Sequence, residues 1–258
     1  MRLVVKRLGL FVVALFGLSL LVFVLLRMLP GDVAAVIAGT NAAPERIASL
    51  RTELGLDKSY VAQYGDWMLG LLHGDLGVST IGGKAVSAQV ASRASVTFPL
   101  IIMSLLIALA IGLPLGCAAV LTRNARLRGL CHGIAIVAGA IPALWGGLLL
   151  ILLFSRGSGL LGLLPAQGFP DNGWGAPLQA LASLILPALA TGVTAGASIM
   201  RYTRAAVGDK ASSQAVDMAM ACGMTRKQAV LRVALRLATP QLVSVIGLTF
   251  AQMVTGVM

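Results

Sequence analysis

The residues that could do chemistry in this chain are few, and their spacing argues against a catalytic or metal site. Its three cysteines form no C-x-x-C pair, and its two histidines lie far apart: Cys117, Cys131, Cys222, His73 and His132. Structural and catalytic metal sites need such ligands at short, regular spacing. We therefore expect no metal, no disulfide framework, no bound cofactor and no catalytic residue.

Motifs for nucleotide binding and for serine proteolysis are incomplete. The segment "GGK" at Gly82–Lys84 is followed by Ala85, and Val78 stands where the first glycine of a P-loop belongs. The segment "GAS" at Gly196–Ser198 continues with isoleucine, so no G-x-S-G motif forms. We expect a protein that is not an enzyme, and any ATP that it depends on would be hydrolysed by another chain.

The elements that carry these residues are membrane helices. Of 258 residues, 58% are hydrophobic and 11% charged, and the mean hydropathy is +0.92. A span needs roughly 20 apolar residues. This composition predicts an all-α polytopic membrane protein with five visible spans: Leu8–Leu29, Phe98–Leu121, Gly129–Phe154, Leu181–Met200 and a last run from Gln241 that stops at Met258.

Basic residues concentrate in alternate loops. The net charge of +11 alone could suggest binding of nucleic acid, but this distribution is typical of a membrane protein. Segment 201–239 holds seven basic residues against two acids, whereas loop 30–95 holds five basic residues and six acids. The positive-inside rule therefore places the N-terminus, loop 122–128 and segment 201–239 in the cytosol. The basic residues of the N-terminus are Arg2, Lys6 and Arg7, and those of loop 122–128 are Arg123, Arg126 and Arg128.

The predicted organisation has three parts. Residues 1–29 form the N-terminal segment and a first span, which lacks a cleavage site and is expected to be retained. Residues 30–97 form an extracytoplasmic loop, in which Ala43–Leu56 and Tyr60–Gly77 read as short amphipathic helices on the outer membrane surface. Residues 98–258 form the membrane core, with a cytosolic loop at 201–239.

The spans are rich in small residues and contain no acid. "GLPLG" (Gly112–Gly116) and "GVTAG" (Gly192–Gly196) are small-x-x-x-small patterns that let helices approach closely. The absence of acidic residues from the spans argues against a proton-coupled transporter. Prolines interrupt or start several spans, at positions 99, 114, 142 and 187.

The cytosolic segment "QAVDMAMACGMTRKQAVLRVALRLATP" (Gln214–Pro240) predicts two helices around Gly223. Thr225 is a suitable N-cap for the second helix. Polar residues Gln228, Arg232 and Arg236 recur every four positions, and the opposite face collects Val230, Val233, Ala234 and Leu237. Two interpretations stay open from the residues alone: a basic linker lying on anionic lipid, or a docking element that transmits motion from a cytosolic partner.

Several segments match one family in the same order. They are "LRMLPGD" (26–32), "LGLDKSYVAQYGDWMLGLLHGDLGVS" (54–79), "AIPALWGGLLLILLFS" (140–155), "LGLLPAQGF" (161–169), "LILPAL" (184–189), "MRYTRAAV" (200–207) and "DMAMACG" (217–223). The last resembles the E-A-A-x-x-x-G loop of ABC importer permeases, with Asp217 at the glutamate, Met218 and Ala219 at the alanines, and Gly223 at the glycine. Taken together, the segments resemble the dipeptide/oligopeptide/nickel permease family, over nearly the whole chain.

The resemblance implies a multi-pass permease subunit in a bacterial cell membrane. It implies three kinds of protein partner: a second permease chain, two cytosolic ABC ATPases that use ATP and Mg, and an extracytoplasmic substrate-binding protein. Membrane lipid is a further expected partner, and nucleic acid is not. The loop would be the coupling helix that sits in a cleft of the ATPase. The residues expected to couple to the ATPase are Asp217, Met218, Ala219, Ala221, Gly223, Met224 and Thr225, and a translocation path is expected near Pro142, Trp145, Arg201 and Arg204.

This chain departs from the family in two ways. Met218 replaces a small residue of the loop motif, and the family has a sixth span whereas the fifth apolar run stops at Met258. The resemblance implies import of short peptides, with nickel, another metal chelate or glutathione as alternative cargo. A channel or a membrane scaffold that moves nothing is the remaining hypothesis, although no filter-like polar ring is present in the spans.

Overall fold

The computed structural model describes residues 2–28, 31–39, 42–79, 83–122, 124–157, 159–165 and 168–257. Outside the described residues lie several positions on which predictions fall: Leu29, Gly82, Arg123, Met258 and the side chains of Arg128, Cys131 and His132. The chain divides into two compact units between Ser92 and Arg93. Apart from two isolated β-bridges, the regular structure of the described residues is helical, which confirms the all-α class.

The first unit contains one long helix and three short ones: α1 (Arg2–Met28), α2 (Val33–Ala38), α3 (Pro44–Glu53) and α4 (Tyr60–Leu72). Pro44 opens α3, because its fixed φ suits the first helical turn and its missing N–H is not needed there. Ser59 caps α4, with its hydroxyl accepting from the N–H of Ala62 at 3.3 Å. The two helices predicted within the outer loop are therefore confirmed.

Aromatic side chains join α4 to α1. The hydroxyls of Tyr64 and Ser19 share a hydrogen bond of 2.8 Å. The ring of Tyr64 makes edge contacts with Phe16 and Phe23, at centroid distances of 5.9 and 5.3 Å. Because a helix rises about 1.5 Å per residue, Phe16 lies roughly 18 Å from the end of α1 at Met28. The short helix α4 is thus held along the C-terminal half of α1.

An ion pair ties α2 to α3. The Asp32 side chain caps α2 by accepting from the N–H of Ala34 at 3.0 Å, and it accepts from Arg51 Nη2 of α3 at 2.7 Å. The Arg51 hydrogen bond, helped by the backbone N–H groups, holds the pKa of Asp32 below its ordinary value. The same contact raises the pKa of Arg51. A carboxyl with a lowered pKa stabilises the folded state above its unfolded pKa of about 3.9, and this contribution is lost as the pH falls through the folded value.

We expect Arg51→Gln to return the pKa of Asp32 toward the ordinary aspartate value. The measurement is a ¹³C NMR titration of the Asp32 carboxyl in detergent micelles. Arg46→Gln is the matched control, because Arg46 is exposed on the same helix and its removal leaves the Asp32 contact intact. An unchanged Asp32 titration in Arg51→Gln would contradict the pairing.

The remaining helices are α5 (Val86–Leu121), α6 (Ala125–Ala140), α7 (Ala143–Phe154), α8 (Pro177–Ala211), α9 (Gln214–Ala221), α10 (Arg226–Ala229) and α11 (Leu235–Val257). A π turn joins α10 to α11, so that Arg226–Gly256 is one continuous helix. Four helices in the described part of the chain are long and apolar enough to cross a membrane: Val4–Met28, Val86–Leu121, Pro177–Ala211 and Arg226–Gly256.

Glycines bring α5 and α8 into close contact. A Cβ added at Gly112 would lie 2.8 Å from the carbonyl oxygen of Gly196, and one added at Gly192 would lie 2.8 Å from the carbonyl oxygen of Ser104. The hydroxyls of Ser104 and Thr191 share a hydrogen bond of 2.6 Å at the same level. The two small-x-x-x-small patterns therefore face each other, as the predicted packing role requires.

The third predicted span, Gly129–Phe154, is a bent pair of helices and not one straight helix. Its apolar run is broken between α6 and α7, whose axes differ by 96°. Pro142 cannot donate a backbone hydrogen bond, and a residue before proline is driven to extended conformation. Ile141 accordingly has φ −75° and ψ 120°. The pair is one broken span or a re-entrant loop, so the chain has up to five membrane-crossing segments among its described residues.

The helix after Gly223 has a different register from the one predicted. The π turn Val230–Ala234 closes with the N–H of Leu235 donating to the carbonyl of Val230, five residues earlier. This accommodates one extra residue and rotates the following turns. Ala238 is therefore fully buried, whereas Leu237, which was predicted to share one face with Val230 and Ala234, is 45% exposed. The predicted polar residues Gln228, Arg232 and Arg236 are all exposed.

Candidate functional site

A glycine turn ends α9, the first helix of the segment Gln214–Pro240. The N–H of Gly223 donates to the carbonyl of Met220 at 3.0 Å, and the N–H of Met224 donates to the carbonyl of Ala219 at 3.1 Å. This pair of bonds is a Schellman motif, which requires a left-handed residue at the position of Gly223. Gly223 has φ +92°, and a Cβ placed on it would meet nothing within 4 Å. Glycine is therefore needed at position 223 for the left-handed conformation of the turn, and not because another backbone approaches closely.

A capping box begins the second helix directly after this turn. The Thr225 hydroxyl accepts from the N–H of Gln228 at 3.4 Å, and the Gln228 side chain accepts from the N–H of Thr225 at 3.0 Å. These reciprocal bonds satisfy two backbone donors that would otherwise lack partners. The predicted N-cap is confirmed, and the segment between α9 and α10 is only four residues long.

One face of α9 is anchored and the other is free. Val216 is 1% exposed and packs into a cluster with Val207, Ala229 and Val230. Ala219 and Met224 are partly buried against this cluster. The seven predicted coupling residues therefore separate into two groups, since Asp217, Met218, Ala221, Gly223 and Thr225 are exposed.

The exposed face is apolar at its centre and basic beyond the turn. Met218 is 68% exposed, although methionine is a residue that usually fills apolar contacts. Arg226 and Lys227 follow in the first turn of α10 and are also exposed. A helix held by its inner face, with an exposed methionine and flanking cations, has the form of a docking element.

Three of the four predicted translocation residues line two separate concavities of the second unit. Pro142 lines an apolar groove of about 780 Å³ between the broken pair α6–α7 and α8, together with Ile141, Leu189 and Val193. Arg201 and Arg204 line a different cleft of about 430 Å³ on α8, which contains one acid, Asp209. Trp145 is 64% exposed on α7 and is not part of either lining.

Arg201 fastens α6 to α8, a contact that sequence reasoning missed. Its Nη1 donates to the carbonyl of Ala135 at 3.2 Å, and its Nη2 donates to Ser198 Oγ at 3.0 Å. The guanidinium reaches Ala135 across Gly139, where an added Cβ would lie 2.5 Å from Nη1. The sequence signal was a glycine one turn before Pro142, but nothing in the pattern linked it to position 201.

Trp174 is a second residue that sequence reasoning missed. Pro99 has no N–H, so the carbonyl of Ser95, four residues earlier in α5, lacks its helical donor. Trp174 Nε1 donates to that carbonyl at 2.9 Å, and Phe169 packs edge-on against the indole at a centroid distance of 5.4 Å. The loop before α8 thus completes the hydrogen bonding of α5.

We expect Trp174→Phe to destabilise the second unit by about 1 kcal/mol, since it removes the hydrogen bond that the indole N–H donates to the Ser95 carbonyl. The check is the thermal unfolding midpoint of the purified chain in detergent. Trp145→Phe is the matched control, because it removes the same atoms from a largely exposed side chain. Equal midpoints for the two variants would contradict the role of the indole N–H.

No group of three His, Cys, Asp or Glu side chains that could hold a metal is present among the residues the structure describes. Close to the start of α9, one ion pair joins two neighbouring residues. Lys210 Nζ donates to the carboxylate of its neighbour Asp209 at 2.9 Å.

Comparison with known proteins gives the family. The family described as binding-protein-dependent transport system inner membrane component matches residues 108–258, and the N-terminal family of the same component matches residues 1–100. The dipeptide transport system permease protein DppB of Escherichia coli (strain K12) is 33% identical over 276 residues, covering 99% of this chain and 81% of that protein. The glutathione transport system permease protein GsiC of Escherichia coli O6:H1 is 35% identical over 253 residues, covering 98% of this chain and 79% of that protein.

These matches agree with the resemblance drawn from the motifs, and the apolar helices agree with a multi-pass location in the inner membrane. The chain therefore belongs to the binding-protein-dependent inner-membrane components, as a permease subunit of an ABC importer.

Proposed function

We propose that this chain is the permease subunit of an ATP-driven importer of short peptides. It would pair with a second permease chain, bind two cytosolic ATPases that use ATP and Mg, and receive substrate from an extracytoplasmic binding protein. The observation that carries the proposal is the loop Gln214–Thr225, a short helix with a buried inner face and a free outer face. Such a helix can transmit force to the spans because connections of only two and four residues join its ends to long helices.

In this proposal the free face of α9 enters a cleft of the ATPase. Met218 and Ala221 would make apolar contacts there, Asp217 would lie beside them, and Gly223 with Thr225 would keep the turn rigid. Ala219 and Met224 would act from inside, by keeping α9 on the cluster around Val216. The basic linker interpretation fits less well, because a lipid-bound helix needs no rigid turn at Gly223.

The cargo path would run along the broken pair α6–α7. Pro142 lies at the break, and Arg201 holds α6 to α8 below it. We assign Pro142, Trp145, Arg201 and Arg204 to the path or its inner end, with Arg201 in a positioning role. The groove at Pro142 is apolar, which suits a path that does not select particular side chains.

Short peptides are favoured as cargo by the names of the relatives. One similar protein is a dipeptide permease and another is a glutathione permease, and glutathione is itself a short peptide. Nickel or a metal chelate stays the alternative, since a chelate would need no metal ligands in the permease. A channel or scaffold is the alternative of another class.

The test is affinity purification of this chain from its native membrane in mild detergent, with mass spectrometry of the associated proteins. We expect P-loop ATPases, a second permease and a solute-binding protein. The reconstituted assembly should then take up labelled dipeptides in an ATP-dependent manner, ahead of glutathione and of nickel. Recovery of the folded chain alone, or conductance without ATP, would overturn the importer proposal in favour of a channel.

A further inference from the structure

An apolar groove of about 680 Å³ follows one face of α1 within the first unit. Its α1 lining recurs at the three- and four-residue spacing of a single helix face. The lining residues of α1 are Leu15, Leu18, Ser19, Val22, Phe23, Leu26 and Arg27. The opposite wall comes from α2, α4 and the loop between α3 and α4, through Val33, Leu54, Leu56, Gln63 and Trp67.

The length of the groove matches one leaflet of a bilayer. From Leu15 to Arg27 the face rises roughly 18 Å at 1.5 Å per residue. Half of a hydrocarbon core of about 30 Å is roughly 15 Å. With the N-terminus in the cytosol, this face runs from the middle of the membrane to its outer surface, which is the extent of one acyl chain.

A cation stands at the outer end of the groove. Arg27 is half-buried, and its guanidinium carbon lies 5.5 Å from the centroid of the Phe23 ring. Within the described part of the chain, no carboxylate lies within ion-pair distance of Arg27. A half-buried guanidinium at the level of the head groups is suited to bidentate binding of a phosphate.

The opposite wall carries an acceptor without a donor. Gln63 Nε2 donates to the carbonyls of Leu56 and Lys58 at 3.2 and 2.7 Å. These two acceptors fix the orientation of the amide, because a flipped amide would set oxygen against oxygen. Gln63 Oε1 is therefore directed away from both carbonyls, and it is buried with no donor among the described residues.

We infer that this groove binds one glycerophospholipid of the outer leaflet. Its acyl chain lies along the Leu15–Leu26 face, its phosphate binds Arg27, and the hydrogen-bond donor of its head group satisfies Gln63 Oε1. Phosphatidylethanolamine has both the phosphate and an ammonium donor, whereas phosphatidylcholine has the phosphate and no donor. The site thus selects a lipid by two polar features in the lining of one apolar groove.

The test is native mass spectrometry of the intact transporter, purified in mild detergent, then delipidated and titrated with phosphatidylethanolamine or phosphatidylcholine. We expect one phosphatidylethanolamine per copy of this chain to bind at least ten-fold more tightly than phosphatidylcholine. Arg27→Gln should abolish this occupancy and Arg27→Lys should restore part of it. Gln63→Leu should reduce the preference for phosphatidylethanolamine while leaving binding of phosphatidylcholine unchanged.

Arg46→Gln is the matched control, because it removes an exposed arginine of the same unit that does not line the groove. Equal lipid occupancy in Arg27→Gln and Arg46→Gln would overturn the inference. Capture of the second permease chain instead of lipid by a photo-crosslinker at Leu18 would also overturn the inference, because a protein segment would then occupy the groove.

Discussion

Replacement of Gly223 by valine should abolish substrate uptake and substrate-stimulated ATP hydrolysis while the protein still inserts in the membrane. The residue has φ +92°, where a side chain costs roughly 1–2 kcal/mol and a β-branched one costs more. The space around it is open, so the effect would come from the backbone alone. Loss of the left-handed residue removes both bonds of the Schellman motif and lets α9 leave its fixed angle to α10.

The matched variant is Gly223→Asn. Asparagine tolerates left-handed conformation better than other residues with a side chain, so we expect it to retain a substantial fraction of uptake. Both variants are measured in proteoliposomes with the native partners, and their amounts in the membrane are compared by immunoblot. Normal uptake by Gly223→Val, or equal loss in both variants, would contradict a role for the turn.

The second large effect is expected at Gly116, in the contact between α5 and α8. A Cβ there would lie 2.5 Å from the Cβ of Thr203 and 2.9 Å from the carbonyl oxygen of Met200. Because one of these neighbours is backbone, the contact cannot be relieved by a change of rotamer. We expect Gly116→Ala to lower the free energy of unfolding by roughly 1–3 kcal/mol, and Gly116→Leu to prevent stable folding.

The control for this prediction is Gly146→Ala in α7, where the nearest atom would be 3.8 Å from the new Cβ. Alanine is about 1 kcal/mol better than glycine inside a helix, so the control should be neutral or stabilised. Unfolding of the purified chain in a detergent–denaturant titration compares the variants. Equal stability of Gly116→Ala and Gly146→Ala would show that α5 and α8 do not pack as described.

Local signals predicted the conformation of the segment around Gly223 well. Gly223 and Thr225 act within five residues of themselves, through a turn and a capping box, so their roles follow from residue type and spacing. The glycine patterns at 112–116 and 192–196 were similarly informative, since small residues four apart produce a smooth helix face wherever the partner lies.

Features that depend on distant residues were not predicted. The π turn Val230–Ala234 lets Val230 and Ala234 pack into the cluster with Val207 and Val216. This packing depends on residues of other helices, so the periodicity of the sequence does not predict it. By contrast, the break at Pro142 has a local cause, and that proline was expected to interrupt or start a span. Only the 96° angle was not predicted, because proline is tolerated in many membrane helices. The donor for the Ser95 carbonyl comes from a residue 79 positions away.

The contact between Gly139 and Arg201 has a consequence for the divergence of related chains. The guanidinium occupies the space that any side chain at position 139 would need, with Nη1 at 2.5 Å from an added Cβ. Only the flexible end of the arginine is in the way, so alanine at 139 would turn the guanidinium aside and cost it the hydrogen bond to the Ala135 carbonyl. A lineage that loses the arginine has no such reason to keep glycine. Positions 139 and 201 should accordingly change together during evolution, although 62 residues separate them in the sequence.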